Sequence, residues 1–187
     1  MAIDAPILIC MDLQQEFIAP GRPFADPEGD EIAAICQNLI EQARAAGWTV
    51  LHTHLHQGGS IIAGHGLTQP IAGCEPLAGE ILLRRAGVSA YAHPDLDEIL
   101  ANRHDDNVYL IGFSGPLSLT QTLFDAQDRG HQLQLVQNAV GGADVGEWSA
   151  DETRALVQDT ARKLSRLCPL DSLHQALDPG FSKAARA

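Results

Sequence analysis

The chain is poor in lysine and in basic residues generally. Only two of its 12 basic residues are lysines, Lys163 and Lys183, and both lie in the last quarter of the 187 residues. Acidic residues number 24, so the formal net charge is −12. An electrostatic field of that sign repels phosphate backbones and anionic lipid, and we therefore expect neither nucleic-acid binding nor membrane-surface binding.

Long apolar runs are also missing. No stretch approaches the length of a membrane-spanning helix, and the N-terminal segment carries Asp4 where a signal peptide would carry basic residues. The cysteines are scattered and form no C-x-x-C pair, which is typical of reduced, mostly buried thiols in a protein that is not secreted. We therefore expect a cytoplasmic location. The cysteines are Cys10, Cys36, Cys74 and Cys168.

Apolar residues are nevertheless abundant, at 45% of the chain. A chain of this length can bury most of its unfolded surface in one core, so the whole of 1–187 is expected to form a single domain.

Short apolar runs alternate with amphipathic stretches along the chain. This alternation predicts an α/β fold with three layers, in which a doubly wound, mostly parallel sheet lies between helices. The helix 149–166 opens with a capping box, Ser149 followed three residues later by Glu152. The predicted strands are 6–11, 48–54, 80–84, 107–112 and 132–137; the other predicted helices are 29–46, 95–100 and 117–129, and 57–79 is predicted to be loop.

Ligands of such sheets bind at the carboxyl ends of the strands, near the point where the strand order reverses. The residues that directly follow the predicted strands are therefore the candidates for a site. They are the segments 12–16, 52–56, 84–91 and 112–118.

These segments together resemble the isochorismatase-like (cysteine hydrolase) superfamily. LICMDLQQEF is similar to its apolar strand followed by Asp-x-Gln-x-x-Phe, and SAYAHPDLDEIL to its Ser-Ala-Phe…Leu-Asp-x-x-Leu element. NVYLIGFSGPLSLTQTLFDAQDRGHQLQLVQNAV resembles its strand, nucleophile turn, helix and following strand. The similarity covers roughly residues 6–140 in the correct order, and it implies the same α/β fold.

The resemblance implies a catalytic Asp, Lys and Cys. The Asp falls on Asp12, the Lys position on Arg85 and the Cys position on Ser118, so two of the three residues depart from the pattern. Serine needs a positioned base to accept its proton during attack, and Asp12 is the candidate. Arginine keeps the positive charge of lysine but stays protonated, and its fork could bind a substrate carboxylate.

Ser118 has a second interpretation. Ser118 and Gln121 fit an S-x-x-Q capping box at the start of a helix, a role compatible with that of a nucleophile. In the family, a turn with a cis peptide precedes the nucleophile, and main-chain N–H groups form an oxyanion hole. Here Leu117 and Ser118 would supply those N–H groups, and either the 116–118 turn or the Gly115–Pro116 bond could hold the cis peptide.

The resemblance also places side chains around a substrate. Gln14, Phe17, His54 and Tyr91 fall in its motifs and are the expected pocket residues.

Alternating histidines mark the second strand. His52, His54 and His56 share one face of an extended strand, and His65 follows on the predicted loop. Nicotinamidases of this superfamily carry metal-binding Asp-x-His here, which aligns with His54 and His56. With His65 as third ligand, the set would suit Zn²⁺, although neighbouring histidines also serve as polar walls. We expect no required cofactor and keep zinc as the alternative.

Three functions stay open at this stage. The first is hydrolysis of a small metabolite at an amide C–N bond through Asp12, Arg85 and Ser118. The second is isochorismatase-type hydrolysis of a vinyl ether, with Asp12 as general acid and no need of a cysteine. The third is a degenerate relative that binds a ligand or partner without turnover. In each case the partner is a small molecule, and relatives lead us to expect a dimer or tetramer.

Overall fold

A computed structural model of the chain describes residues 5–56, 67–101, 108–164 and 166–177. Its strands form one six-stranded sheet in which all neighbouring strands are parallel. The strands are β1 (Ile7–Met11), β2 (Thr49–Leu55), β3 (Ile81–Arg85), β4 (Val108–Gly112), β5 (Leu133–Val140) and β6 (Leu167–Cys168). The helices are α1 (Gly29–Ala45), α2 (Pro94–Ala101), α3 (Thr120–Arg129), α4 (Ala150–Lys163) and α5 (Leu170–Leu177).

The strand order is β3-β2-β1-β4-β5-β6. The chain winds from β1 through β2 to β3, then returns to the other side of β1 and winds through β4 and β5 to β6. The order therefore reverses between β1 and β4, which is where a doubly wound sheet opens a crevice at its carboxyl edge. The predicted fold class is confirmed.

Helices cover both faces of this sheet. Leu8 and Cys10 of β1 face one core together with α1 and α5, whereas Ile7, Ile9 and Met11 face a second core with α2, α3 and α4. All five β1 residues are buried, which explains why this strand reads as an unbroken apolar run.

Most element boundaries lie within three residues of those expected from the sequence. The capping box of α4 is present, with Ser149 accepting from the Glu152 N–H and the Glu152 carboxylate accepting from the Ser149 N–H. The sequence did not predict β6 or α5. None of the helices in the described part of the chain is long and apolar enough to cross a membrane.

Candidate active site

Asp12 stands at the carboxyl edge of the central strand. It directly follows β1 and adopts a left-handed conformation with φ of 53°. Its N–H donates to the Thr53 carbonyl at 2.9 Å, and its Oδ1 accepts from the Leu55 N–H at 3.2 Å. The last residues of β2 thus hold both the backbone and the side chain of Asp12.

Arg85 forms a buried ion pair with Asp12. It is the last residue of β3, and its Nη2 donates to Asp12 Oδ1 at 2.5 Å, with both side chains fully buried. The sheet therefore brings together residues 73 positions apart, as their places at the strand ends predict.

The Arg85 guanidinium is already engaged by the protein. Its Nη1 donates to the carbonyls of Gly87 and Val88 at 2.6 and 2.7 Å, while Nη2 binds Asp12. The sequence allowed the Arg85 fork to bind a substrate carboxylate in two parallel hydrogen bonds. In the structure the fork is not free to do so. Arg85 instead ties the chain after β3 to the end of β1.

Ser118 lies in a π-helical turn between β4 and α3. The turn spans Gly115–Leu119, with the Leu119 N–H donating to the Ser114 carbonyl and the Thr120 N–H donating to the Gly115 carbonyl. The capping box predicted at Ser118 is wrong, because helical backbone begins before Ser118 and no side-chain cap is formed at the start of α3. Ser118 is buried inside the turn, with 1% of its surface exposed.

The cluster of Asp12, Arg85 and Ser118 contains three buried polar atoms without hydrogen-bond partners among the described residues, one of which is Arg85 Nε. Among the described residues, neither Asp12 Oδ2 nor Ser118 Oγ makes a hydrogen bond, although both are buried. Buried polar atoms are nearly always paired, so an unpaired hydroxyl and carboxylate oxygen in one site indicate a place for a reacting molecule.

The environment of Asp12 raises the pKa of its carboxyl above the ordinary value. Burial is the main cause of this increase in pKa, because it penalises the charged form. The Arg85 charge, the Ser118 hydroxyl and the Leu55 N–H each favour the carboxylate and offset part of that increase. Ser118 is therefore near enough to Asp12 to act on its charge, although not at hydrogen-bonding geometry.

One of the two expected oxyanion donors is already engaged within the turn. The Leu117 N–H donates to the Ser114 carbonyl at 3.1 Å, so it would have to leave that bond to receive a developing oxyanion. The described residues contain no cis peptide bond, and those of the Gly115–Leu119 turn are trans. The roles of the Leu117 and Ser118 N–H groups stay predictions.

Gln14 and His54 lie next to the Asp12 cluster. Gln14 Oε1 shares the Leu55 N–H with Asp12, accepting at 2.9 Å, and its amide nitrogen donates to the carbonyls of Leu55 and Thr68. Burial and the neighbouring His52 lower the pKa of His54 to about 4, with Arg84 and Arg85 contributing. His54 is therefore neutral near pH 7.

Phe17 and Tyr91 serve packing in the structure. Phe17 is wholly buried in the core formed with α1. Tyr91 stacks on His131, its hydroxyl lies 2.9 Å from His131 Nδ1, and the Arg129 guanidinium lies over its ring. Their places in a substrate pocket stay predictions.

The two histidines of β2, His52 and His54, have different hydrogen-bond partners and do not converge on one metal position. His52 Nε2 lies 3.1 Å from Glu80 Oε2, whereas His54 Nε2 has no partner among the described residues. His65 lies outside those residues. Within residues 5–56, 67–101, 108–164 and 166–177, no three His, Cys, Asp or Glu side chains form a group that could hold a metal ion. The described donors therefore do not fit a complete zinc site, and we assign no step to a metal.

Three further polar residues reach this region; they lie in the candidate segments 52–56, 84–91 and 112–118, but the sequence did not single them out. Thr53 Oγ1 and Ser114 Oγ are buried and have no hydrogen-bond partner in the part of the chain that the structure describes. Ser114 is also left-handed, with φ of 59°, just before the turn that carries Ser118. Arg84 lines a cavity beside His54. Their only sequence signal is a position within or just after a strand, which does not distinguish them from their neighbours.

A model of the isochorismatase domain matches residues 6–165 of the chain. The matched range contains Asp12, Arg85 and Ser118 together with all of the described residues except Ala5 and the twelve residues 166–177.

The chain is also similar to individual proteins, one by sequence and two by structure. The chain is 28% identical over 155 residues to the maleamate amidohydrolase of Pseudomonas putida, which covers 73% of this chain and 72% of that protein. A cysteine hydrolase from Pseudomonas syringae superposes with a TM-score of 0.76 at 19% identity, over 94% of this chain and 91% of its own. The zinc complex of the Pyrococcus horikoshii pyrazinamidase gives a TM-score of 0.69 at 18% identity, over 87% and 97%. At these identities the two structures bear on the fold alone.

Proposed function

The chain belongs to the isochorismatase domain family, and from that premise we propose that it hydrolyses a small amide at its C–N bond through Asp12, Arg85 and Ser118. The observation that carries the proposal is the pair of buried, unpartnered atoms Asp12 Oδ2 and Ser118 Oγ within the described site. Two of the similar proteins are named for amide hydrolysis, maleamate amidohydrolase and pyrazinamidase, which favours an amide as substrate.

The proposed reaction is an acyl transfer from the amide to Ser118 and then to water. Ser118 Oγ bonds to the amide carbonyl carbon while its proton passes to Asp12 Oδ2, and the carbonyl oxygen takes the electron pair. The C–N bond then breaks, and Asp12 gives the proton to the departing amine. A water molecule then gives a proton to Asp12 and attacks the carbonyl carbon of the resulting ester. The bond to Ser118 Oγ breaks, and Asp12 returns the proton to Ser118.

The two carboxylate oxygens of Asp12 have different roles in this mechanism. Oδ1 holds Arg85 and the Leu55 N–H, which leaves Oδ2 for the proton. Burial raises the pKa of this carboxyl, so it is a stronger base than an exposed aspartate would be. Arg85 keeps a positive charge beside the carboxylate in every step.

Substitutions at Ser118 test the covalent route. Against a panel of short amides, we expect Ser118→Ala to lose turnover by about 10³-fold or more, because no nucleophile remains. Ser118→Cys keeps turnover, since a thiol is more readily ionised than a hydroxyl. Ser149→Ala, which removes the cap of α4 far along the chain, controls for lost stability. Turnover by Ser118→Ala equal to that of the wild type contradicts the covalent route.

One observation favours a second function. A carboxyl whose pKa is raised by burial is also suited to donate a proton, as hydrolysis of a vinyl ether requires. In that case Asp12→Asn abolishes turnover of isochorismate while Ser118→Ala preserves it. If the wild type turns over neither the amides nor isochorismate, a role in binding without catalysis is favoured instead.

A further inference from the structure

The Arg85 side chain crosses the sheet at its carboxyl edge. Arg85 ends β3 and Asp12 follows β1, and β2 lies between these two strands. Neighbouring strands are about 4.8 Å apart, so a contact between the ends of β1 and β3 spans about 10 Å. Arg85 Nη2 nevertheless donates to Asp12 Oδ1. The Arg85 side chain therefore passes over the end of β2 to reach the carboxylate.

Thr53 is the residue of β2 that lies next to this crossing. It pairs in register with Met11 of β1 and with Leu83 of β3. Residues paired in register share a face of the sheet, and Met11 and Leu83 both belong to the core formed with α2, α3 and α4. Arg85 comes two residues after Leu83 and so lies on that same face. The Thr53 carbonyl also accepts from the Asp12 N–H at 2.9 Å, so Thr53 adjoins both members of the ion pair.

Polar atoms without partners surround the crossing. Within the part of the chain that the structure describes, neither Thr53 Oγ1 nor Arg85 Nε makes a hydrogen bond, and both residues are buried. Nε and Nη2 are bonded to one carbon, so the free N–H of Arg85 lies next to the nitrogen that holds Asp12. Asp12 Oδ2 is the third such atom. One N–H donor, one hydroxyl and one carboxylate oxygen are the number and kind of partners that a buried water molecule typically has.

We propose that Thr53 Oγ1, Arg85 Nε and Asp12 Oδ2 together bind the water molecule that hydrolyses the acyl-enzyme. The water oxygen accepts from the Arg85 Nε–H, and its two O–H groups donate to Thr53 Oγ1 and Asp12 Oδ2. One lone pair of the water is then left for the carbonyl carbon of the Ser118 ester. The new C–O bond forms as one proton passes to Asp12 Oδ2, and the bond to Ser118 Oγ breaks as that proton returns to Ser118.

This inference rests on the proposed function and assigns Thr53 to its second half alone. In the first half, Asp12 Oδ2 takes the proton of Ser118 and gives it to the departing amine. The water reaches Asp12 Oδ2 once the amine has left, so formation of the acyl-enzyme does not depend on the Thr53 hydroxyl. Loss of that hydroxyl therefore slows hydrolysis of the acyl-enzyme and leaves its formation unchanged.

The ester p-nitrophenyl acetate separates the two halves, because acylation releases p-nitrophenolate before water attacks. We expect the wild type to give a burst of about one p-nitrophenolate per site, followed by a steady rate set by hydrolysis of the acyl-enzyme. In Thr53→Val, which keeps the shape of the side chain, the burst rate is unchanged and the steady rate falls by about 10- to 100-fold, so kcat falls while kcat/KM does not. Thr53→Ser restores most of the steady rate. Thr49→Val makes the same change at the first residue of β2 and serves as the matched control.

Crystal structures of the wild type and the variants test the water site without any turnover. We expect an ordered water within hydrogen-bonding distance of Thr53 Oγ1 and Arg85 Nε in the wild type and in Thr49→Val, and its loss in Thr53→Val. If the water is present but the wild type gives neither a burst nor turnover of any amide, the water site stands and the proposed function fails. A wild-type crystal structure without that water overturns the inference. A steady rate of Thr53→Val equal to that of the wild type, or an equal fall of its burst and steady rates, also overturns it.

Discussion

Asp12 and Arg85 meet in a place from which solvent is excluded. Both side chains are fully buried, and Arg85 also satisfies two carbonyls of the chain after β3. Removing one member of a buried pair leaves an uncompensated charge, which is far more unfavourable than losing the pair as a whole. The pair therefore couples the integrity of the site to the stability of the fold.

Arg85→Met is expected to reduce the free energy of unfolding by about 3–5 kcal/mol, because the Asp12 charge stays buried without its partner. The double variant Asp12→Asn/Arg85→Met is expected to be more stable than Arg85→Met alone. Urea unfolding at pH 7 measures both. A double variant less stable than either single variant contradicts a role for the uncompensated charge.

At this scale the sequence predicted that Asp12 and Arg85 lie together at the strand ends, as they do, but not which other groups hold Arg85. Position after a strand, with the family resemblance, was enough to place Asp12 and Arg85 near each other; their catalytic roles stay predictions. The Gly87 and Val88 carbonyls that hold Arg85 depend on how the chain turns after β3, which no residue pattern reveals. The same limit applies to Arg84, which differs from Arg85 only in the face of the sheet it occupies.

The connection from β4 to α3 is the most constrained segment of the site. Gly112 ends β4 with φ of 128°, and a Cβ at this position would lie 1.8 Å from the Met11 carbonyl oxygen. Ser114 follows in a left-handed conformation, and the π-helical turn with Ser118 comes next. Close approach of β4 to β1 at Gly112 thus sets where Ser118 lies relative to Asp12.

Gly112→Ala is expected to cost at least about 3 kcal/mol of stability, since both the backbone conformation and the Met11 carbonyl oppose a side chain. Gly130→Ala is the matched control. Gly130 also has positive φ, at 74°, but a Cβ there meets nothing within 4 Å, so about 1–2 kcal/mol of conformational strain is expected. Thermal or urea unfolding compares the two. Equal losses would contradict the clash at Gly112.

The strands and helices themselves were largely predictable from periodicity and capping signals. The error at Ser118 has a local cause: an S-x-x-Q pattern is the same whether helical backbone begins at Ser118 or three residues earlier. The structure begins it at Gly115, where wide i→i+5 bonds close the turn. β6 has only two residues, too few for a period to show.

Two buried histidines, His52 and His54, affect how the stability of the whole molecule depends on pH. Burial is the main cause that lowers the pKa of His52 and of His54, the latter to about 4. Between pH 6.5 and about 4 the unfolded chain therefore binds a proton at His54 that the folded chain does not, and the pKa of His52 is shifted in the same direction. The folded state consequently loses stability as the pH falls through this window.

His54 alone is expected to account for a loss of about 2 kcal/mol between pH 7 and pH 5. In His54→Gln, which cannot take up a proton, the decline from pH 7 to pH 5 is smaller by that amount. Urea midpoints of wild type and variant at the two pH values give the comparison. Parallel decline of the two proteins would show that His54 does not contribute.

At the level of the whole fold, alternation of strands and helices was sufficient to predict the layers and the parallel sheet. The order of the strands depends on which way each crossover turns, and alternation alone does not specify it. That order is what joins the ends of β1, β2 and β3 into one cluster. Fold class was therefore accessible from local patterns, whereas the site needed the global arrangement.

β3 is an edge strand, hydrogen-bonded in the described sheet only to β2, and yet it supplies Arg85 to the centre of the site. Edge strands detach in local opening events that leave inner strands paired. Each such event withdraws the counterion of Asp12 while β1, β2, β4 and β5 remain folded. We therefore expect heating or denaturant to abolish the proposed turnover before the inner strands of the sheet unfold.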